Sequence, residues 1–342
     1  MGRKPFEGYP SLKDLVGRKY DDPRAVEYRR LFNNTMVPPP SEENDRLPCR
    51  FQVNDTLTLR IEALLAMQFQ YIKEWSEKQL EEPVHEAILI IPSMYSQAER
   101  QALLDAAEIA GLKIRQLMAG NTAVAVNYAM PMLSGNQLGP EPEHHIIFDM
   151  GAGFTVASVV ALQTVSQKVP GSYARYQNVS QIETKAVGAD RSLGGHEFDV
   201  LLQAHLVKVF EEQYGHRAVQ PITQNQRALG RMLRAAEKLK TDLTVGVAAE
   251  VSVESVHEDI DFRTSLTREA FLDMASHLFD QVTAPVKQAL QKAGLEPVLF
   301  CSLSSCMQSS FSRSIQKSHR SIQSFCMGAA PVFLRYRPCS PI

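Results

Sequence analysis

Asp149 ends an apolar run in IIFDMGAGFTVAS and stands directly before a turn built from Gly151, Ala152 and Gly153. Glycines there permit positive φ and let backbone amides approach a phosphate, and a carboxylate at the mouth of such a turn could hold hydrated Mg²⁺. The same residues also suit an ordinary β-hairpin turn with one acidic member. No Gly-Lys-Ser/Thr ending follows, so the turn is not of the Walker type. Further along, SLGGHEFD places Gly194 and Gly195 immediately before a helical pattern. The amides and dipole of that helix start would face a phosphate or ribose, or would simply open a helix. Glu237, Lys240 and Thr244 follow at spacings of three and four, hence on one helix face, as a polar wall for a nucleobase or as a solvated surface.

These residues need elements to position them. EAILIIP, Glu86 to Pro92, is a short continuous apolar run suited to a strand buried on both faces. A helix is expected from Ser96 to Ala110, with Ser96 as N-cap, Glu99 completing a capping box and Gly111 as C-cap. Lys113 to Met118 reads as a second strand and Thr122 to Ala129 as a helix. IIFDMGAGFTVASVVAL then gives two apolar strands around a glycine turn. Helices are expected over Phe198 to Gln213, Gln224 to Leu239 and Arg268 to Lys292, with a strand from Val245 to Val253. Near the start, Ala25 to Phe32 reads as a helix, Met36 to Pro40 as a proline loop, Phe51 to Leu59 as one strand and Ile61 to Gln79 as a helix. The pattern is α/β, and segments 86–130 and 145–193 are expected to form equivalent sheets.

A chain of 342 residues, 44% apolar, can bury a core large enough for two lobes. With 36 basic and 38 acidic residues spread along it, the net charge of -2 gives no footprint for nucleic acid or a membrane surface. The first residues lack a secretory apolar core. Asn33, Asn54 and Asn178 nevertheless each open an Asn-x-Ser/Thr sequon, which matters only in a secretory compartment. Cys301, Cys306, Cys326 and Cys339 crowd a serine-rich, basic final stretch with no acidic residue after Glu296. That stretch is expected to be poorly packed beyond about Val298 and to hold no ordered metal site.

SLKDLVGRKYDD, the segment ILIIPSMYSQAERQALLDAAEIAGLKIRQLMAGNTAVAVNYA, IIFDMGAGFTVAS, LGGHEFD and LRAAEKLKTDL resemble, in this order, successive segments of the nucleotide-binding domain of the heat-shock 70-kDa family. The resemblance runs from about Ser11 to Leu295. Ala152 in the phosphate turn and the Asn121-Thr122 pair resemble the large endoplasmic-reticulum branch of that family. The implied fold is the actin-like ATPase domain, two ribonuclease-H-like lobes around a nucleotide cleft. It would place residues 1–60 and 61–144 in the outer and inner subdomains of the first lobe, and 145–193 and 194–275 in the inner and outer subdomains of the second. Residues 276–297 would form a return helix and 298–342 a divergent tail.

The resemblance also implies roles. Lys13 matches a lysine that orients the attacking water, and Asp149 a carboxylate that meets Mg²⁺ through water. Gly151, Ala152 and Gly153 match the second phosphate loop, Gly194 and Gly195 a nucleotide-facing turn, and Glu237, Lys240 and Thr244 the adenosine wall. Pro92 and Arg100 match positions that relay nucleotide state to an interdomain linker. Three departures accompany these matches: the first phosphate loop is absent, Gly120 replaces a carboxylate of the metal shell, and VLFCSLSSCMQSS replaces the strand and Gly-Gly adenosine loop. The expected function is an ATP-binding, ATPase-type module of a chaperone of the endoplasmic-reticulum lumen. Its cofactors would be ATP or ADP with Mg²⁺, and its partners the resident 70-kDa chaperone, through nucleotide exchange, and unfolded clients held by a further domain. Nucleic acid and membranes are not expected partners. The alternative is a non-catalytic interaction fragment, and a sugar kinase of the same superfold is a more distant reading. Weak ATP binding and little hydrolysis are expected of the chain as it stands.

Overall fold

The computed structural model describes residues 8–32, 34–38, 49–135, 137–171, 175–295 and the backbone of 332–335. They divide into two compact units, Met1–Ala119 with Ala218–Arg231, and Gly120–Arg217 with Met232–Ile342.

In the first unit a 3-10 turn, Leu12–Asp14, precedes α1, Pro23–Leu31. Asp22 accepts the Arg24 amide and Pro23 occupies the first turn, so α1 starts where its side chains dictate. Three short strands follow in one antiparallel sheet: β1 Met36–Val37, β2 Arg50–Gln52 and β3 Thr58–Arg60. The single strand expected over Phe51 to Leu59 is therefore a hairpin, because Asn54 gathers the amides of Thr56 and Leu57 and turns the chain. Met36 and Val37, expected in a loop, pair with Phe51 and Arg50. The prolines that suggested a loop begin only after them.

Next come α2, Ile61–Leu80, the strand β4, Glu86–Ile91, α3, Gln97–Ile109, and β5, Lys113–Ala119. The Ser96 amide donates to Glu99 Oε2 at 2.6 Å and the Glu99 amide to Ser96 Oγ at 3.4 Å, the capping box read from the sequence. Such a cap contributes about 1 kcal/mol. Past the helix end Gly111 has φ +68°, and the Leu112 amide reaches back to the Ala107 carbonyl at 2.9 Å. β4 and β5 run parallel as a two-stranded sheet. Leu15, Val16, Phe51, Ile61, Leu64, Leu65, Ile91 and Ala106 form the core. Cys49 is fully buried beside them, its thiol donating to the carbonyls of Arg18 and Lys19, and burial pushes its pKa up to about 11.

The second unit opens with α4, Gly120–Ser134, and the strands β6 Glu143–Met150, β7 Thr155–Lys168 and β8 Tyr176–Asp190, all antiparallel neighbours. Then follow α5 Gly195–Tyr214, α6 Gln226–Val245, which belongs to this unit from Met232 onward, the hairpin β9 Ala248–His257 with β10 Ile260–Thr267, and α7 Arg268–Met274, α8 Ser276–Gln281 and α9 Ala284–Lys292. The single helix expected over Arg268 to Lys292 is thus three, with Pro285 resetting the chain in the first turn of α9. α4 lies on one face of the sheet, with Ala125 against Ile147 and Val160, and Asn121 donating to the Ile147 carbonyl and Ser158 Oγ. α9 packs on β7 and β8. It comes so close that a Cβ on Gly188 would stand 2.0 Å from the Pro285 carbonyl oxygen.

Three further expectations are corrected. The two sheets are not equivalent, one being parallel and two-stranded and the other antiparallel with order β11-β6-β7-β8. β4 is not buried on both faces: Glu86, Ile88 and Ile90 point outward in alternation. The final stretch is not wholly unpaired either, since Val332–Arg335 forms β11 against Phe148 to His145 of β6. An open strand edge presents unpaired amides and carbonyls, and a short apolar segment satisfies them. The remaining residues beyond 295, with their four cysteines, lie outside the described residues.

Candidate functional site

Asp149 sits one residue before the end of β6, paired in register with Val156 of β7, so the hairpin itself fixes its backbone. Gly151, Ala152, Gly153 and Phe154 form the connection, closed by the Gly151 amide on the Phe154 carbonyl at 3.0 Å. The start of α5 is joined to this loop by three bonds. Gly195 N donates to Gly151 O at 3.0 Å, His196 N to Ala152 O at 2.8 Å, and Thr155 Oγ1 to Leu193 O at 2.8 Å. Gly194 fills the junction, where a Cβ would lie 2.3 Å from the Ala152 carbonyl oxygen. Glycine is needed here for close approach, not for φ, which is an extended -165°.

Lys240 of α6 reaches the same place, its Nζ donating to the Gly195 carbonyl at 2.9 Å and contacting both carboxylate oxygens of Asp199 at 2.6 and 2.7 Å. Asp199, one turn into α5, is buried. Burial raises its pKa from the ordinary 3.8 to about 6 against the opposing pull of Lys240, with the Glu237 charge adding to the rise. Sequence reasoning stopped at the two glycines and passed over Asp199. The available signal was its place four residues after Gly195 on a helix whose partner carries a lysine facing back. Of the expected polar wall, Lys240 is turned into this cluster, Thr244 donates its hydroxyl to the Thr241 carbonyl, and Glu237 is exposed.

Lys13, Pro92 and Arg100 belong to the first unit, and they share one turn. The Pro92 carbonyl accepts the Tyr95 amide at 3.1 Å, Arg100 Nε donates to the Tyr95 carbonyl at 3.0 Å, and the Tyr95 hydroxyl donates to the Lys13 carbonyl at 3.0 Å. Arg18 adds an ion pair to Glu99, 3.5 Å apart, which ties the segment after Lys13 to the first turn of α3. Gly120 is the first residue of α4.

Among the described residues no group of three or more His, Cys, Asp or Glu side chains could hold a metal ion. Mg²⁺ bound mainly by water and phosphate asks only one or two carboxylates of a protein, so Asp149 is compatible with it. No helix of the described residues is long and apolar enough to cross a membrane.

Residues 5–298 match the family model for Hsp70 protein. The chain is 35% identical over 282 residues to hypoxia up-regulated protein 1 of Rattus norvegicus, covering 82% of this chain and 27% of the relative. The corresponding protein of Danio rerio is 34% identical over 291 residues, 85% of this chain and 28% of the relative, and that of Homo sapiens 33% over 282 residues, 82% and 27%. The chain therefore spans roughly a quarter of the length of these curated relatives. A glycine hairpin locked onto a helix start, in an α/β chain matched over nearly all its described length, leaves one assignment: the chain belongs to the Hsp70 family and has the actin-like ATPase fold of that family's nucleotide-binding domain.

Proposed function

We propose that the chain is a nucleotide-binding module of an Hsp70-like chaperone, working in the endoplasmic-reticulum lumen with ATP or ADP and Mg²⁺. The observation that carries this reading is the joined body of the Gly151–Gly153 loop, the Gly194-Gly195 start of α5 and the Lys240 ammonium, 3.6 Å from where a Gly195 Cβ would be. It puts glycine backbone, a helix N-terminus and a cation in one place, the combination that favours a polyanion. Mg-ATP, when bound, supplies the phosphoanhydride and the metal charge. Asp149 would hold the metal through water, Gly151, Ala152 and Gly153 would take the phosphates, Gly194 and Gly195 the sugar-phosphate, and Glu237, Lys240 and Thr244 would flank the nucleoside. Lys13 positions water, and the Pro92, Tyr95, Arg100 turn passes a change at Lys13 to α3. The whole protein would assist folding of client polypeptides and promote nucleotide exchange on the resident 70-kDa chaperone.

A second reading has its own support. The Gly195 and His196 amides already donate to loop carbonyls, and Lys240 is already paired with Asp199, so a ligand would have to compete with bonds inside the protein. On this reading the chain is a non-catalytic interaction fragment. Isothermal titration of the 342-residue chain with Mg-ATP separates the two. Weak, saturable binding that is lost in Asp149→Ala and weakened in Lys240→Met, with hydrolysis near background, is the expected result. Absence of any heat, with the fold intact by circular dichroism, establishes the second reading instead.

A further inference from the structure

The β2–β3 hairpin carries a feature unrelated to nucleotides. Asn54, Asp55 and Thr56 form its tip, and all three are exposed. Asn54 Oδ1 accepts three hydrogen bonds, from the Thr56 amide at 3.0 Å, the Thr56 hydroxyl at 3.1 Å and the Leu57 amide at 2.7 Å. The Val53 amide on the Leu57 carbonyl, 2.9 Å, closes the loop beneath them. Among the described residues no hydrogen bond of Asn54 Nδ2 is seen, so the two amide protons face solvent at the outermost point of the hairpin.

This arrangement is chemically selective. A carboxamide nitrogen is a poor nucleophile because its lone pair is delocalised into the carbonyl. Donation into Oδ1 draws electron density to the oxygen and acidifies Nδ2–H, which eases loss of that proton as a new bond forms at nitrogen. The required donor is a hydroxyl two residues after the asparagine, and Thr56 supplies it already aimed. The sequon at Asn178 lacks this geometry. It lies in β8, with Asn178 opposite Ser166 and Ser180 opposite Thr164 in an extended ladder, and among the described residues no bond joins the Asn178 and Ser180 side chains. Asn33 lies outside the described residues.

We infer that Asn54 is an acceptor for an N-linked glycan. The inference rests on the lumenal placement proposed above. The co-reactant is an oligosaccharide carried on a polyprenyl diphosphate. The Asn54 Nδ2–C1 bond forms, the C1–O bond to the diphosphate breaks, and the polyprenyl diphosphate leaves with the electron pair. The Nδ2 proton passes to a basic group of the membrane-bound transferase, and nothing is oxidised or reduced. The attached sugar would stand beside Val53 and Leu57, which are 43% and 42% exposed, and shield them from water.

The test places the 342-residue chain behind a cleavable secretory leader and translates it with microsomes, so that lumenal delivery is imposed. The expected result is a mass increase of one glycan, removed by endoglycosidase H. Asn54→Asp and Thr56→Ala should abolish it, while Thr56→Ser and Asn178→Gln should retain it. Asn54→Asp keeps the Oδ acceptor and therefore the turn, so its loss of the glycan reports the missing nitrogen and not a disrupted hairpin. An unmodified wild-type chain beside a modified control glycoprotein overturns the inference, and so does a glycan that survives Asn54→Asp. Fractionation of cells that make the protein natively, probed with an antibody to this chain, tests the lumenal reading by itself.

Discussion

Ile88 and Ile90 of β4 are 56% and 53% exposed, whereas Ile146 and Ile147 of β6 are 2% and 0% exposed. Both strands were read from apolar stretches, Ala87 to Ile91 in one and Ile146 to Phe148 in the other. What separates them is the company each keeps. β6 has β7 on one edge and β11 on the other, with α4 over the face that carries Ile147. Among the described residues β4 pairs with β5 alone, and its core lies on the Leu89 and Ile91 side. A run of branched apolar residues thus specifies a strand, but the second buried face belongs to whatever the rest of the fold lays over it.

The contrast can be broken most sharply by paired truncations. Ile147→Ala should cost about 2–5 kcal/mol in urea unfolding, because the site is closed on every side, and Ile88→Ala should stay within about 0.5 kcal/mol. Equal losses would show that β4 is as enclosed as β6. A smaller effect is expected where the second unit's sheet meets α9. Gly188→Ala drives a methyl into the Pro285 carbonyl, and the required shift of α9 should cost about 1–3 kcal/mol, seen as a lower urea midpoint. An unchanged midpoint would mean that α9 is held loosely.

A third expected effect is one of slope. Between the ordinary 3.8 and about 6, the folded chain keeps a proton on Asp199 that the unfolded chain has released. Stability therefore falls as pH rises through that window and is level, for this group, above it. Asp199→Asn should remove that slope while leaving Lys240 a neutral acceptor. Thermal melts of both chains at a series of pH values between 4 and 7 measure the difference. Parallel curves would show that Lys240 holds Asp199 ionised throughout.

Much of this arrangement was legible from local rules. α3 announced itself through Ser96, Glu99 and Gly111, each with a distinct task at a helix end, and the β6–β7 hairpin through Gly151 and Gly153 between two apolar runs. β8 went unread because YQNVSQIETKAVGAD is mostly polar; it is a strand because fourteen of its residues pair along β7, information that lies elsewhere in the chain. β10 carried a fair signal, with Ile260, Phe262 and Leu266 alternating inward, and was overlooked beside the longer helical patterns. In the site, the glycines were visible because they are rare residues with narrow uses. Asp199 was not, since it acts through a lysine 41 residues away, and Asn121, read only as a mark of one branch, holds the sheet through Ser158, 37 residues away.

The seclusion of Cys49 gives the first unit an internal gauge. A thiol donating to two backbone carbonyls, fully buried and with its pKa pushed up to about 11, offers almost no thiolate at neutral pH and no path to a reagent. Alkylation must wait until the segment around it opens. The ratio of its labelling rate to that of a free thiol then equals the opening equilibrium constant of that region, read from the native sequence without a reporter group having to be introduced.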